Sequence, residues 1–211
     1  FLFPNWVDTD AIHPLSEPSS FRQELGLAPD QVVALYSGNM GRKQGLEILA
    51  DVAQRLAAEP GVTFVFAGAG EGRPQLEAAT AGLSNVRWLP LQPAEQLNEL
   101  LNLADIHLLP QRADAADLVM PSKLTGMLAS GRPIIATAAP STQVAQTVAQ
   151  CGLVVPPEDA PALALAIQTL AGDADARGRL GEQARAYALH HLGQDAILRS
   201  LESQLRQLHG V

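Results

Sequence analysis

The sequence predicts an α/β fold, a parallel sheet with helices packed on both of its faces. Three observations lead there. Short apolar runs, rich in β-branched and aromatic residues, alternate with longer amphipathic stretches, the rhythm of βαβ units. A strand, glycine turn and helix occur first over 32–58 and again over 62–83, and repeated units of this kind wind into parallel sheets covered on both faces. The 211 residues, 47% hydrophobic and 17% charged, suit one sizeable domain, taken here as 1–211.

The chain opens Phe1-Leu2-Phe3-Pro4-Asn5-Trp6-Val7-Asp8, an apolar, strand-like fragment without an initiator Met, and reads as a domain cut from something longer. Residues 9–31 are rich in Pro and Ser, an irregular excursion with a short helical piece near 21–25. The first core strand is 32–37, ending at Ser37-Gly38. The helix over 44–58 carries Leu46, Ile48, Leu49, Val52 and Leu56 on its apolar stripe and stops at Pro60-Gly61. A second strand, 62–67, runs into Gly68-Ala69-Gly70-Glu71-Gly72-Arg73, and the next helix presents Leu76, Ala79 and Leu83 on one face. A strand at 86–89, a helix at 93–103 and a strand at 105–109 follow. The polar loop 110–121 leads into a helix from Ser122 to about Ser130. Gly131-Arg132-Pro133 introduces a strand at 134–137, then come a short helix at 143–150 and a last strand at 153–155. From Ala160 the chain reads as helical and Ala/Leu-rich, interrupted at Gly181 and closed by a helix over 194–209.

Composition excludes several functions. A net charge of −8 and a pI near 5.0 argue against a nucleic-acid surface, which needs a basic patch. The single cysteine, Cys151, excludes an internal disulfide and Cys-rich zinc sites and points to a reducing compartment. Its apolar surroundings suggest a core residue. No apolar run approaches the roughly 20 residues of a membrane span, and no signal-peptide pattern is present, so the segment is expected to be soluble. His190-His191 has no third ligand at metal spacing, His107 sits inside an apolar strand as a buried, hydrogen-bonded side chain, and no Ser/His/Asp or Cys/His set suggests hydrolysis.

Parallel sheets bind ligands at the carboxyl ends of their strands, and three polar loops, 37–45, 68–73 and 110–123, share that edge. At the first, a helix start leaves backbone N–H groups and the positive dipole end exposed, a natural anion site. Glycines 38, 41 and 45 allow close approach, and Arg42 and Lys43 add two cations. The chain has only two lysines, Lys43 and Lys123. Lys123 lies in Met120-Pro121-Ser122-Lys123-Leu124, with Ser122 as the expected N-cap. A cation in a first helical turn opposes the dipole unless an anion compensates it. Glu71 and Arg73 either pair with each other or face ligand hydroxyls. Asp114 and Asp117 suit sugar hydroxyls.

The order Asn5-Trp6-Val7-Asp8, Ser37-Gly38-Asn39-Met40 to Gly45, Phe66-Ala67-Gly68-Ala69-Gly70, Ala104 to Pro110, Pro121-Ser122-Lys123-Leu124 and Ala129 to Thr137 resembles the C-terminal, nucleotide-sugar-binding half of GT-B glycosyltransferases of family 4 (group 1), most of all exopolysaccharide transferases of the colanic-acid type. The resemblance implies a Rossmann-like parallel sheet and a UDP- or GDP-sugar donor. It implies a retaining transfer without metal or cofactor to a glycan or polyprenyl-linked acceptor, at the cytoplasmic face of the bacterial inner membrane. An N-terminal domain outside this chain would supply the acceptor site and any peripheral membrane association, and the closing helix would cross onto it. Leaving-group charge on the diphosphate would fall to Arg42, Lys43 and Lys123. The donor would contact Gly38, Asn39, Gly41, Gln44, Gly68, Gly70, Glu71, Leu89, Asp117, Pro121 and Ser122. The sequence departs from the family where Asn39 and Gln44 replace an Arg and a Lys, and where Leu118 and Gly126 replace paired glutamates, with Asp117 standing one place before the first. A sugar-nucleotide 2-epimerase of the same architecture and a non-catalytic nucleotide-binding module remain as alternatives.

Overall fold

The computed structural model describes residues 5–41, 44–59, 61–113 and 120–209. Its strands are β1 (Val32–Ser37), β2 (Val62–Ala67), β3 (Val86–Leu89), β4 (Ile106–Pro110), β5 (Ile134–Thr137) and β6 (Gly152–Val155). They form one sheet in the order β3-β2-β1-β4-β5-β6, every neighbouring pair parallel. The chain winds outward from β1 to β3, returns beside β1 as β4, and winds outward again. Loops leaving β1 and β4 therefore diverge, and a crevice opens between them.

The helices are α1 (Phe21–Glu24), α2 (Glu47–Arg55), α3 (Arg73–Ala79), α4 (Leu97–Asn102), α5 (Ser122–Ala129), α6 (Gln143–Val148), α7 (Ala160–Gly172), α8 (Ala174–His191) and α9 (Gln194–His209). Side chains alternate across the sheet with the period of two that a strand imposes. Ala34, Tyr36, Phe64 and Phe66 pack on one face with α2, α3 and α7. Val33, Leu35 and Val65 point the other way, onto Phe21 and α4. Further along that second face, Ile134 and Ala136 meet α5, α6 and α8. The four inner strands are buried throughout and only the edge strands β3 and β6 are partly open.

The excursion over 9–31 is tied down by long-range polar contacts. Asn102 Nδ2 donates to the His13 carbonyl and its Oδ1 accepts from the Leu15 amide, while Glu99 accepts from the Ser20 amide. Arg22 pairs with Asp105 at 3.1 Å. Arg185 of α8 donates to the carbonyls of Thr9, Ile12 and Ala129. The excursion is thus a strap across α4, α5 and α8.

Two sequence expectations need correction. Gly181 does not interrupt a helix: α8 runs through it from Ala174 to His191, and the break falls at Asp173, whose carboxylate caps α8 by accepting from the Ala176 amide. Gly181 is there for proximity, because a Cβ would stand 2.3 Å from the Gly131 carbonyl oxygen. Ser122 is not the α5 N-cap either. Pro121 holds that position, and among the described residues no side chain caps the helix. Among the described residues no helix is long and apolar enough to cross a membrane.

Gly181→Ala should destabilise the chain by about 1–3 kcal/mol through overpacking against backbone, read by urea unfolding. Gly178→Ala, on the same helix with nothing within 4 Å of the added carbon, should be neutral or stabilising by up to about 1 kcal/mol. Equal effects would contradict the close-packing role.

Candidate functional site

A cleft of about 710 Å³ lies at the carboxyl ends of β1, β2 and β4. One wall is polar, made by Ser37, Gly38, Asn39 and Gln44 after β1 and by Ser122, Lys123 and Thr125 at the start of α5. The opposite wall is apolar, built from Leu91, Leu97, Leu100 and Leu101 with Val7 and Ile12 of the N-terminal segment. Leu91 and Leu97 are 70% and 40% exposed, so this wall offers uncovered apolar surface to a flat ligand group.

Lys123 dominates the polar wall. Its Nζ stands 4.5 Å from the centre of the Tyr36 ring, 3.4 Å from the Tyr36 hydroxyl and 3.4 Å from Gln44 Oε1. Its stem passes over the glycine turn, with Cδ 3.6 Å from where a Cβ on Gly38 would be. Among the described residues no carboxylate lies within ion-pair distance of it. Burial penalises the ammonium and pushes its pKa down to about 8. Burial also raises the pKa of the Tyr36 phenol, which stays protonated and donates to the Asn39 carbonyl at 2.6 Å. With α5 uncapped, its first amides and its positive dipole end face the same space. The arrangement can accept an anion and neutralise charge that develops on it.

The second glycine loop buttresses the first. A Cβ on Gly68 would stand 2.0 Å from the Gly38 carbonyl oxygen, and one on Gly70 would stand 2.6 Å from the Met40 carbonyl carbon. Between the loops, the Met40 amide donates to the Ala69 carbonyl and the Gly72 amide to the Met40 carbonyl, at 2.8 and 2.7 Å. Arg73 closes the edge. Its guanidinium donates to the carbonyls of Gly68 and Leu89, pairs with Glu77 at 2.8 Å, and lies 5.0 Å from the Trp88 ring centre.

Of the site residues read from sequence, Gly38, Asn39, Gln44, Gly68, Pro121, Ser122 and Lys123 line the cleft. Gly41 lies beside the Asn39 side chain and Gly70 against Met40, Glu71 is exposed, and Leu89 is buried, giving its carbonyl to Arg73. These four stand outside the wall. Arg42, Lys43, Asp114, Asp117 and Leu118 lie outside the described residues. Gly126 lines the cleft and places no carboxylate there. His107 is fully buried and held by Ser130, whose hydroxyl already donates to the Met127 carbonyl, so the imidazole donates from Nε2. Burial depresses its pKa to about 3. Among the described residues no three His, Cys, Asp or Glu side chains cluster as a metal site.

Sequence reasoning missed Tyr36, which reads as one more apolar strand residue, and the wall of Leu97, Leu100 and Leu101, which reads as helix core, with Leu91 in the loop before it. The signal for Tyr36 was its place two residues before the first glycine. Asn5, in the opening motif, donates to the Met120 carbonyl and so steadies the end of the loop before α5.

Residues 31–173 match the model of a family described as glycosyl transferases group 1. Over 97% of its length the chain is 36% identical to a colanic acid biosynthesis glycosyl transferase of Escherichia coli (strain K12), covering 51% of that protein. It is 29% identical to a D-inositol 3-phosphate glycosyltransferase of Nocardia farcinica, covering 48% of it. Among solved structures, a sucrose-phosphate synthase of Thermosynechococcus elongatus superposes over 100% of this chain and 53% of its own, with a TM-score of 0.80 at 24% identity. The Anabaena HepE protein superposes over 96% and 55%, also with a TM-score of 0.80, at 20% identity. The chain spans about half the length of the curated relatives it matches.

Replacing Arg73 by Met should cost roughly 1.5–3 kcal/mol of stability, the range for hydrogen bonds to a charged group, measured by urea unfolding. A loss under about 0.5 kcal/mol would show that the strand ends hold together without it.

Proposed function

The chain belongs to the group 1 glycosyl transferases, and from that premise we propose that it is the donor-binding half of a retaining glycosyltransferase. Its cleft takes a nucleoside-diphosphate sugar of UDP or GDP type, and the whole enzyme passes the sugar to a glycan or polyprenyl-linked acceptor in cell-surface polysaccharide biosynthesis. That enzyme works in the cytoplasm at the inner face of the bacterial inner membrane. An N-terminal domain supplies the acceptor side and any membrane contact.

One observation carries this reading. Lys123 stands over Gly38 at the uncapped start of α5, at the point where the strand order reverses, with no carboxylate partner among the described residues. Every feature of that wall favours a diphosphate, and the apolar wall across from it suits a base. The Anabaena HepE structure is a complex with UDP and glucose, a ligand of the class proposed here. As the bond between sugar and diphosphate breaks, negative charge grows on the leaving oxygens. Lys123 and the α5 amides are already in place to stabilise it, with Arg42 and Lys43 assigned the same role and no metal required. Gly126 contributes no carboxylate, so that position adds no acidic contact to the donor.

Titrating the chain with UDP and GDP tests the reading. One of the two should bind, and Lys123→Ala should weaken that binding at least about tenfold, as loss of a charge-assisted contact does. In the whole enzyme the same substitution should lower turnover roughly 100-fold or more. The sign of the pH effect follows from burial. Lys123 in the free protein is charged below about 8 and neutral above. Above about pH 7, where the nucleotide's terminal phosphate is fully ionised, affinity should therefore be level up to the lysine's pKa and then fall by up to about tenfold per pH unit, and the fall should vanish in Lys123→Ala. Binding by neither nucleotide, or a pH profile indifferent to Lys123, would remove the reading.

A further inference from the structure

The Lys123 ammonium has an unusual set of neighbours. An ammonium offers three donors and no acceptor. Two of them point at neutral groups of β1 and the loop after it, the Tyr36 hydroxyl and the Gln44 amide oxygen, each at 3.4 Å, and the charge lies 4.5 Å from the Tyr36 ring centre, within cation–π reach. The hydroxyl cannot serve as a donor to anything else, since its proton goes to the Asn39 carbonyl. Its lone pairs are left for Lys123. Tyr36 therefore touches both halves of the polar wall: it pins the glycine turn through Asn39 and it holds the one described cation of α5.

We propose that Tyr36 is a positioning residue. Its ring and hydroxyl, with Gln44, form a neutral cradle that fixes the Lys123 ammonium over Gly38, and so set the register of α5 against the glycine turn. Neutral partners matter here because a carboxylate in the same place would consume the charge that a phosphate needs. The buried phenol and the depressed lysine agree with the geometry. The consequence for donor binding rests on the diphosphate reading above, whereas the cradle itself does not.

The composition makes a direct test practical. With only two lysines in the chain, protein carrying lysine labelled with ¹³C at Cε gives two side-chain signals, and Lys43→Arg assigns them. In the free wild-type chain the Lys123 ε-methylene should be shifted upfield of Lys43 by the Tyr36 ring current. The shift should survive Tyr36→Phe, which keeps the ring, and disappear in Tyr36→Leu. With UDP and GDP as probes, Tyr36→Phe should weaken binding about three- to tenfold and Tyr36→Leu more, and in a Lys123→Ala background either change should alter affinity less than about twofold. The proposal is overturned if the Lys123 signal lacks the ring-current shift or keeps it in Tyr36→Leu. It is also overturned if the Tyr36 substitutions cost as much in the Lys123→Ala background, which would make Tyr36 a support for Asn39 alone. A ring-current shift that obeys these rules in a chain binding neither nucleotide would uphold the cradle and defeat the diphosphate reading.

Discussion

The contact that the rest of the site depends on is between two pieces of backbone. The Gly38 carbonyl occupies the space a Cβ on residue 68 would need, 2.0 Å from it, and both glycines have φ near 130° (130° and 134°), where side chains are strained. Only this allows the turns leaving β1 and β2 to lie flush, with the amides of Met40 and Gly72 completing the zip. Any side chain at 68 would lift the first turn away from the sheet and move Gly38 from under Lys123. The second glycine loop is therefore a foundation for the first, and Arg73 locks it from outside through two carbonyls.

Charge follows from that geometry. The chain as a whole carries −8, which would repel a diphosphate at long range, yet over a Debye length of roughly 8 Å at physiological salt the local arrangement decides. Locally there is an ammonium without a described carboxylate partner, a helix start without a described side-chain cap, and neutral amides and hydroxyls. Burial makes an ammonium without a counter-charge costly, and an anion offsets that cost. On the diphosphate reading proposed above, binding and charge neutralisation would be the same event, and a group that stabilises a bound diphosphate would be in place to stabilise it further as it leaves.

Much of this was legible in the sequence. The apolar runs at 32–37 and 62–67 are buried on both faces of a parallel sheet, and that burial is what makes them unbroken in the sequence. The carboxyl edge was legible too, because glycine turns mark strand ends, and Lys123 stood out in a chain with only one other lysine. What escaped was non-local. Nothing in the sequence near Gly181 says that it meets Gly131, so a close approach between elements reads as a helix break. Asn98 and Asn102 look like ordinary helix polar residues, whereas they hold the 9–31 strap through its backbone. Tyr36 shows its apolar ring to the strand pattern and its hydroxyl only to the folded site. Glu71 and Arg73 read as either an ion pair or two groups facing ligand hydroxyls, while the helix brings Glu77 to Arg73 one turn on.

The most direct test of the account is a crystal structure of the chain grown with UDP or GDP. The account expects the two phosphates at the carboxyl ends of β1 and β4, with oxygens in hydrogen-bond reach of Lys123 Nζ and of the first amides of α5, and the base against Leu91 and Leu97. A nucleotide seated elsewhere, or one that turns its phosphates away from Lys123 and Gly38, would contradict it.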